Sequence, residues 1–421
     1  MASASSSILD MSASALSGLV RSRQVSAVEA TEVFLRRIEE RIGGHAFITT
    51  CPEYALRMAA RRPVGPLAGV PLAVKDMFLT AGIRTTYGSS IFRDYVPKRT
   101  ATAVRRLEAA GAILVGKANQ HEFAWGVTSQ NPHWGTVGNA VHPGRVAGGS
   151  SGGNAAALAD RLCTIGLGTD SGGSVRIPAA CCDVVGFRPA PGVISTAGML
   201  RLAPSFDTVG PMARSVRDCA LIYSVLTGRQ TPVPRLAGMR VGVLALTGLE
   251  DEFRRLGALV EEVRLPELEA DPQAVFSAEC ALSHLPWYSQ RRDEYGPDTQ
   301  VKWDAAFLVT AVDYQRGLSA LRRFRRRART DPAVDLFVSP TIGIDPPPAD
   351  CWEPDVRAAM TKYTRAYSFL GWPAIAIGNL QLAGRDDATV FGAALAWEQA
   401  HDWAGSLNND LALDRPIRGA G

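Results

Sequence analysis

Ala147-Gly148-Gly149-Ser150-Ser151-Gly152-Gly153, followed by Gly168-Thr169-Asp170-Ser171-Gly172-Gly173-Ser174-Val175-Arg176-Ile177-Pro178, decides how this chain is read. Two serines, Ser150 and Ser174, each stand beside paired glycines. Upstream, an apolar run ends in a lysine: Val70-Pro71-Leu72-Ala73-Val74-Lys75-Asp76. Together these segments hold hydroxyls, an amine and a set of backbone N–H groups. Cleaving an amide needs an activated nucleophile, an oxyanion site and a proton for the leaving amine.

Ser174 has the setting of a nucleophile. The missing Cβ atoms of Gly172 and Gly173 let the backbone turn sharply and approach a substrate closely. A helix expected over Val175 to Cys182 would leave N–H groups unpaired at its start. The N–H groups of Ser171, Gly172, Gly173 and Ser174 are therefore expected to converge on a carbonyl oxygen. Alone, such a loop also suits a bound phosphate or a plain turn. The phosphate reading is poor, because Gly148 to Gly153 lacks the Lys-Ser/Thr ending of a P-loop. No GxSxG elbow is present, and none of the six histidines points to a Ser-His-Asp site. Lys75 leaves two readings open: a stem that reaches to the surface, or a buried base.

Size and composition bound the class. The 421 residues are 46% hydrophobic and 20% charged, ordinary for a soluble globular chain, with net charge +4. The densest basic run, Arg322-Arg323-Phe324-Arg325-Arg326-Arg327, reads as a solvated helix face rather than a nucleic-acid patch. Seven scattered cysteines show no metal-binding spacing. Adjacent Cys181 and Cys182 read as small buried hydrophobes in a reducing compartment. Met1 to Ser7 lacks a basic start and a long apolar stretch, so no signal peptide is expected. No stretch reaches the ~18 apolar residues of a membrane span. A cytoplasmic location is expected, with no metal and no cofactor.

The apolar pattern alternates between strands and helices. Two helices are expected within 12–41, the second with Ser26 as N-cap and Glu29 completing a capping box, and another near 53–61. Strands are expected at Val70–Val74, Ala112–Val115, Cys163–Leu167, Arg240–Leu244, Asp335–Val338 and Ala374–Ile377. Helices are expected at Thr102–Ala110, Ala155–Asp160, 270–330 and 387–402. No linker divides the chain. The expected fold class is α/β, one large domain with a central mixed sheet covered by helices on both faces. Within 1–421, residues 1–61 would supply N-terminal helices, 62–230 the core, and 231–421 a part lining the substrate pocket.

These segments closely resemble the amidase signature family. Gly65 to Asp76 looks like its lysine strand. Ala110 to Asn119 with Glu122-Phe123-Ala124 looks like the next block, and Ala203 to Ser215 like the segment after the core. The similarity is dense over roughly 26–245. It implies that Ser174 is the nucleophile, Ser150 a relay serine on a cis peptide bond, and Lys75 the base. Ser171, Gly172, Gly173 and Ser174 would form the oxyanion hole, while Asp170, Arg176 and Ser151 hold the loop. Trp125, Gly126, Gly149 and Ser151 are the implied substrate-binding residues. Lysine has an ordinary pKa near 10.4, and lowering it by roughly three units costs the charged form about 4 kcal/mol. Burial at the end of an apolar strand is expected to supply this. Strand alternation should turn Asp76 away from Lys75.

The implied function is hydrolysis of a small-molecule carboxylic amide, or a related aryl amide, carbamate or ester, through a Ser-Ser-Lys triad and an acyl-enzyme. The expected partners are that substrate and water, without nucleic acid or membrane; a homodimer is left open. The alternative is a glutamine-hydrolysing amidotransferase A-type subunit acting in a complex on charged tRNA. Such subunits tend to carry Arg-Val-Ser-Arg-Tyr-Gly after the core, where this chain has Gly192 to Gly198. A non-catalytic scaffold is the third reading, and the filled triad positions argue against it. The chain also departs from the pattern near 245–256, at Ser368 and Leu370, and at Gly378-Asn379-Leu380-Gln381-Leu382, where two strands read as nearly fused.

Overall fold

The run ending in Lys75 becomes an interior strand of a sheet that has eleven strands among the described residues. The computed structural model describes residues 8–245, 247–267 and 272–401; Met1 to Ser7, where a leader was looked for, lie outside them. The strands are β1 (Phe47–Thr50), β2 (Pro71–Lys75), β3 (Ile113–Ala118), β4 (Ile165–Asp170), β5 (Val185–Arg188), β6 (Thr208–Ala213), β7 (Arg240–Val243), β8 (Leu259–Glu262), β9 (Leu336–Pro340), β10 (Ala374–Ile377) and β11 (Leu380–Gly384). Helices before the second serine loop are α1 (Ala13–Arg21), α2 (Ala27–Glu40), α3 (Pro52–Ala59), α4 (Thr102–Ala109) and α5 (Gly152–Ala159). After it come α6 (Arg176–Cys181), α7 (Val216–Thr227), α8 (Glu250–Arg255), α9 (Gln273–Arg291), α10 (Pro297–Phe307), α11 (Ala311–Arg327), α12 (Glu353–Thr361), α13 (Thr364–Leu370) and α14 (Asp387–His401).

The strand order is β1-β3-β2-β4-β6-β5-β10-β11-β9-β7-β8. β2 runs parallel to both β3 and β4, and β7 parallel to β8 and β9. The other pairs are antiparallel, so the sheet is mixed. Period-two alternation divides the strand residues between two cores. Leu72, Val74, Leu114, Ile165 and Leu167 enter one. Ala73, Ile113 and Val115 enter the other, with Ala155 to Leu158 of α5. Both faces are therefore buried, which is why these strands read as unbroken apolar runs.

Local chemistry sets the ends of the elements. Ser26 accepts from the Glu29 N–H at 3.0 Å and starts α2. β10 and β11 form a hairpin joined only by Gly378 and Asn379, with Gly378 at φ 52°, as tight hairpin turns require. The Asn379 carboxamide then accepts from the N–H groups of Thr341 (3.1 Å) and Ile342 (3.0 Å), tying the turn to the end of β9. In α11 the arginine run keeps Leu321 and Phe324 buried and its arginines outward or half-buried. Cys181 and Cys182 are buried in the second core. Among the described residues no helix is long and apolar enough to cross a membrane.

Candidate active site

Lys75 is fully buried. It shares the strand face of Ala73, the face on which α5 packs, and α5 follows the first glycine-serine loop. This topology brings Lys75 Nζ to 2.7 Å from Ser150 Oγ. Nζ also donates to Thr169 Oγ1 at 2.8 Å. Thr169 lies on β4, beside β2. Burial drives the Lys75 pKa well below its ordinary 10.5, although Asp170 and then Asp207 pull the other way. Asp76 turns elsewhere, as alternation predicts. Its carboxylate accepts from Thr86 N and Oγ1, both at 2.7 Å, and pairs with the buried Lys117 at 3.0 Å.

The Gly149–Ser150 peptide bond is cis. The Ser150 carbonyl accepts from His121 N at 3.1 Å and from Ser129 Oγ at 3.4 Å. The Ser151 N–H donates to the Ser174 carbonyl at 3.0 Å, so the two serine loops lie side by side. Ser150 is fully buried, whereas Ser174 is half-buried and faces a cavity.

The second loop is held from beneath by Asp170. One carboxylate oxygen accepts from Gly173 N at 2.8 Å, and the other from Arg176 Nε at 2.9 Å. Arg188 Nη1 adds a contact at 3.2 Å. Burial would raise the Asp170 pKa, but the Arg176 and Arg188 guanidinium groups hold it well below the usual carboxylate range. Arg176 completes its bonds with Thr364 O, Gln381 Oε1 and Ser368 Oγ, which ties the loop to α13 and β11. Ser171 Oγ donates to Asp207 at 2.6 Å.

One correction concerns the oxyanion donors. The Gly173 N–H is already committed to Asp170, so it does not point at a substrate. Gly173 is needed for its backbone instead. Its φ is +136°, and a Cβ there would meet Thr364 Oγ1 at 2.5 Å. Among the described residues, the N–H groups of Ser171, Gly172 and Ser174 take no acceptor. A Cβ at Gly172 would meet nothing within 4 Å, which leaves its backbone open to the cavity.

The cavity measures about 260 Å³. Ser171, Gly172 and Ser174 form one wall, and Ala124 to Val127, with Trp125 and Gly126 among them, form another. Gly149 and Ser151 do not line it. A Cβ at Gly149 would meet the backbone of 126–128 at about 3 Å, and the buried Ser151 hydroxyl donates to Thr169 O at 3.3 Å. Both are packed within the loop. The remaining walls come from distant sequence: Gln273 and Phe276 on α9, Arg357 and Thr361 on α12, Arg365 and Phe369 on α13. Sequence reading missed Thr169 and these polar wall residues. Thr169 carried a signal, since it stands inside the quoted motif on the strand next to Lys75. Among the described residues no three His, Cys, Asp or Glu side chains gather as a metal site.

Comparison with known proteins gives a consistent picture. The amidase family profile matches residues 29–276. The A subunit of glutamyl-tRNA(Gln) amidotransferase from Methylococcus capsulatus is 40% identical, over 63% of this chain and 63% of that protein. Its counterpart from Methylobacillus flagellatus is 38% identical over 94% of this chain and 98% of its own length. A crystal structure of an amidase superposes with TM-score 0.85 and 31% identity, over 93% of this chain and 99% of the other.

Proposed function

This chain belongs to the amidase family, and on that premise we propose that it hydrolyses a small carboxylic amide through an acyl-enzyme on Ser174. The observation that carries the reading is a fully buried lysine amine 2.7 Å from the Ser150 hydroxyl, beside a cavity faced by Ser174.

Ser174 Oγ attacks the amide carbon while its proton passes to Ser150 Oγ, and the Ser150 proton passes to neutral Lys75 Nζ. The oxyanion is met by the N–H groups of Ser171 and Gly172, with that of Ser174 close by. Collapse breaks the C–N bond, and the amine leaves with a proton returned through Ser150. Water then attacks the acyl-enzyme, its proton follows the same relay, and the carboxylic acid departs. Thr169 orients the lysine amine.

The cavity supports a substrate class. Trp125, Leu202, Phe276 and Phe369 offer an apolar body site, while the Arg365 and Arg357 guanidinium groups stand in the wall, Arg357 already paired with Glu353 at 2.7 Å and Arg365 bonded to Gln273. An amide with an apolar or aryl portion and an anionic group fits this surface. The test is a hydrolysis screen over matched amides with and without a carboxylate, with carbamates and ureas alongside and the Ser174→Ala variant as blank. Faster turnover of the carboxylated member supports the class, and equal turnover overturns it.

A second reading is the glutamine-hydrolysing half of a tRNA-dependent amidotransferase. The similarity to such A subunits favours it. Glutamine also carries a carboxylate, so the cavity suits both readings. Glutaminase activity that appears only with partner subunits distinguishes this one, and full turnover of other amides by the isolated chain argues for the first.

A further inference from the structure

Lys302 is a second buried lysine, only 9% exposed at its side chain, and it has no part in the relay. Its Nζ donates to the Trp125 carbonyl at 2.5 Å, to Asp298 Oδ2 at 2.8 Å and to Glu353 Oε2 at 3.2 Å. His121 Nε2 lies 2.7 Å from the same Asp298 oxygen. The other Glu353 oxygen accepts from Val127 N at 2.9 Å and pairs with Arg357 at 2.7 Å. Arg357 in turn reaches the Trp125 carbonyl at 3.3 Å.

The cluster therefore grips both backbone groups that flank Gly126, the Trp125 carbonyl and the Val127 N–H. It balances two cations, Lys302 and Arg357, against two carboxylates, Asp298 and Glu353. Gly126 cannot carry a side chain here, because a Cβ would collide with the His121 ring. The gripped strip is the cavity wall facing the Ser174 loop, and α12, which supplies Glu353, also supplies Arg357 and Thr361 to the cavity. Lys302 itself does not line the cavity.

We propose that Lys302 is a positioning residue for this wall: it fixes Trp125 to Val127 against α12 and so sets the width of the substrate cavity, without touching substrate. This rests on the reading that the cavity holds the acyl group attacked by Ser174. A lysine suits the task because one ammonium makes three directed bonds, here to a main-chain carbonyl and two carboxylates.

The experiment compares wild type with Lys302→Met by two readouts. Hydrogen exchange is followed across 122–128, with β2 and β4 as internal reference. Labelling of Ser174 by a methyl and by a bulky aryl fluorophosphonate gives a size ratio. The proposal expects exchange in 122–128 to accelerate about tenfold or more with the reference strands unchanged, and the size ratio to move about tenfold. Unchanged exchange in that strip, or an unchanged ratio in a folded variant, overturns it. If Lys302→Met does not fold, Glu353→Gln keeps an acceptor for Val127 N–H while removing the charge facing Lys302, and the same two changes are expected. If wild type is not labelled at all, the reading of Ser174 falls, and the exchange readout still decides the role of Lys302.

Discussion

Lys75 Nζ lies 2.7 Å from Ser150 Oγ, and neither residue is exposed to solvent. In water an amine at neutral pH is an ammonium and a poor base. Removed from water on an interior strand, the same group loses the hydration that favours its charge. The fold thus favours the uncharged amine that the proposed mechanism uses as its base, and the first glycine-serine loop carries the Ser150 hydroxyl to it.

The direction of that shift fixes a pH dependence. Burial lowers the Lys75 pKa well below 10.5, and the proposed relay uses the uncharged amine. We expect kcat/KM to rise with pH through a limb lying well below 10.5. Lys75→Met should lose that limb and about a thousandfold in kcat. Stability should move the same way: below 10.5 the unfolded chain holds a proton that the folded chain refuses, so the penalty shrinks as pH rises. A pH–rate profile of both proteins checks the first part, and a profile unchanged in the variant would count against the base assignment.

Gly173 has two reasons to be glycine, a φ of +136° and the nearness of Thr364 and Ile177. Gly173→Ala should lower stability by roughly 2 kcal/mol or more and turnover at least tenfold. Gly172→Ala, with open space at its Cβ and an ordinary φ, should cost far less stability. Chemical denaturation of the two variants makes the comparison, and equal losses contradict it.

His284 offers a separate test of the core. It is fully buried and stacks on Trp303 at 4.0 Å. Burial lowers its pKa from 6.5 to about 3. The unfolded histidine takes a proton as pH drops below 6.5, and the folded one does not until about 3. Stability from this group is therefore lost progressively across that window, on the order of 4 kcal/mol in total. His284→Phe should flatten the fall of Tm between pH 6 and pH 4, and an unaltered slope refutes the assignment.

Several features were legible because burial on both faces leaves unbroken apolar runs. β2, β3 and β4 showed themselves in this way, and the amine at the end of β2 stood out against them. β6 was not foreseen. It contains Gly210 and Pro211, and its pairing is imposed by β4 and β5 rather than by its own preference. β11 was legible only as the second of two nearly fused strands at 378–382, and the carboxamide of its polar Gln381 is spent on Arg176 and Ser339. α5 begins at Gly152 rather than Ala155, since the crowding of Gly153 against Asn119 makes glycine fit the first turn.

The site divides along the same line. Lys75, Ser150 and Ser174 lie in contiguous motifs, and the family resemblance, more than their spacing, is what singles them out. Which N–H groups of the second loop stay free depends on where Asp170 points, and no spacing states that. Arg357, Arg365 and Gln273 reach the cavity only through tertiary packing of α9, α12 and α13.

The central claim is that Ser174 forms the covalent bond, activated through Ser150 by an uncharged Lys75. The most direct measurement is intact-protein and peptide mass spectrometry after a small fluorophosphonate, on wild type, Ser174→Ala and Lys75→Met. The account predicts one adduct, on Ser174, absent in Ser174→Ala and slowed about a hundredfold or more in Lys75→Met. An adduct on another residue, or labelling at wild-type rate without Lys75, would contradict it.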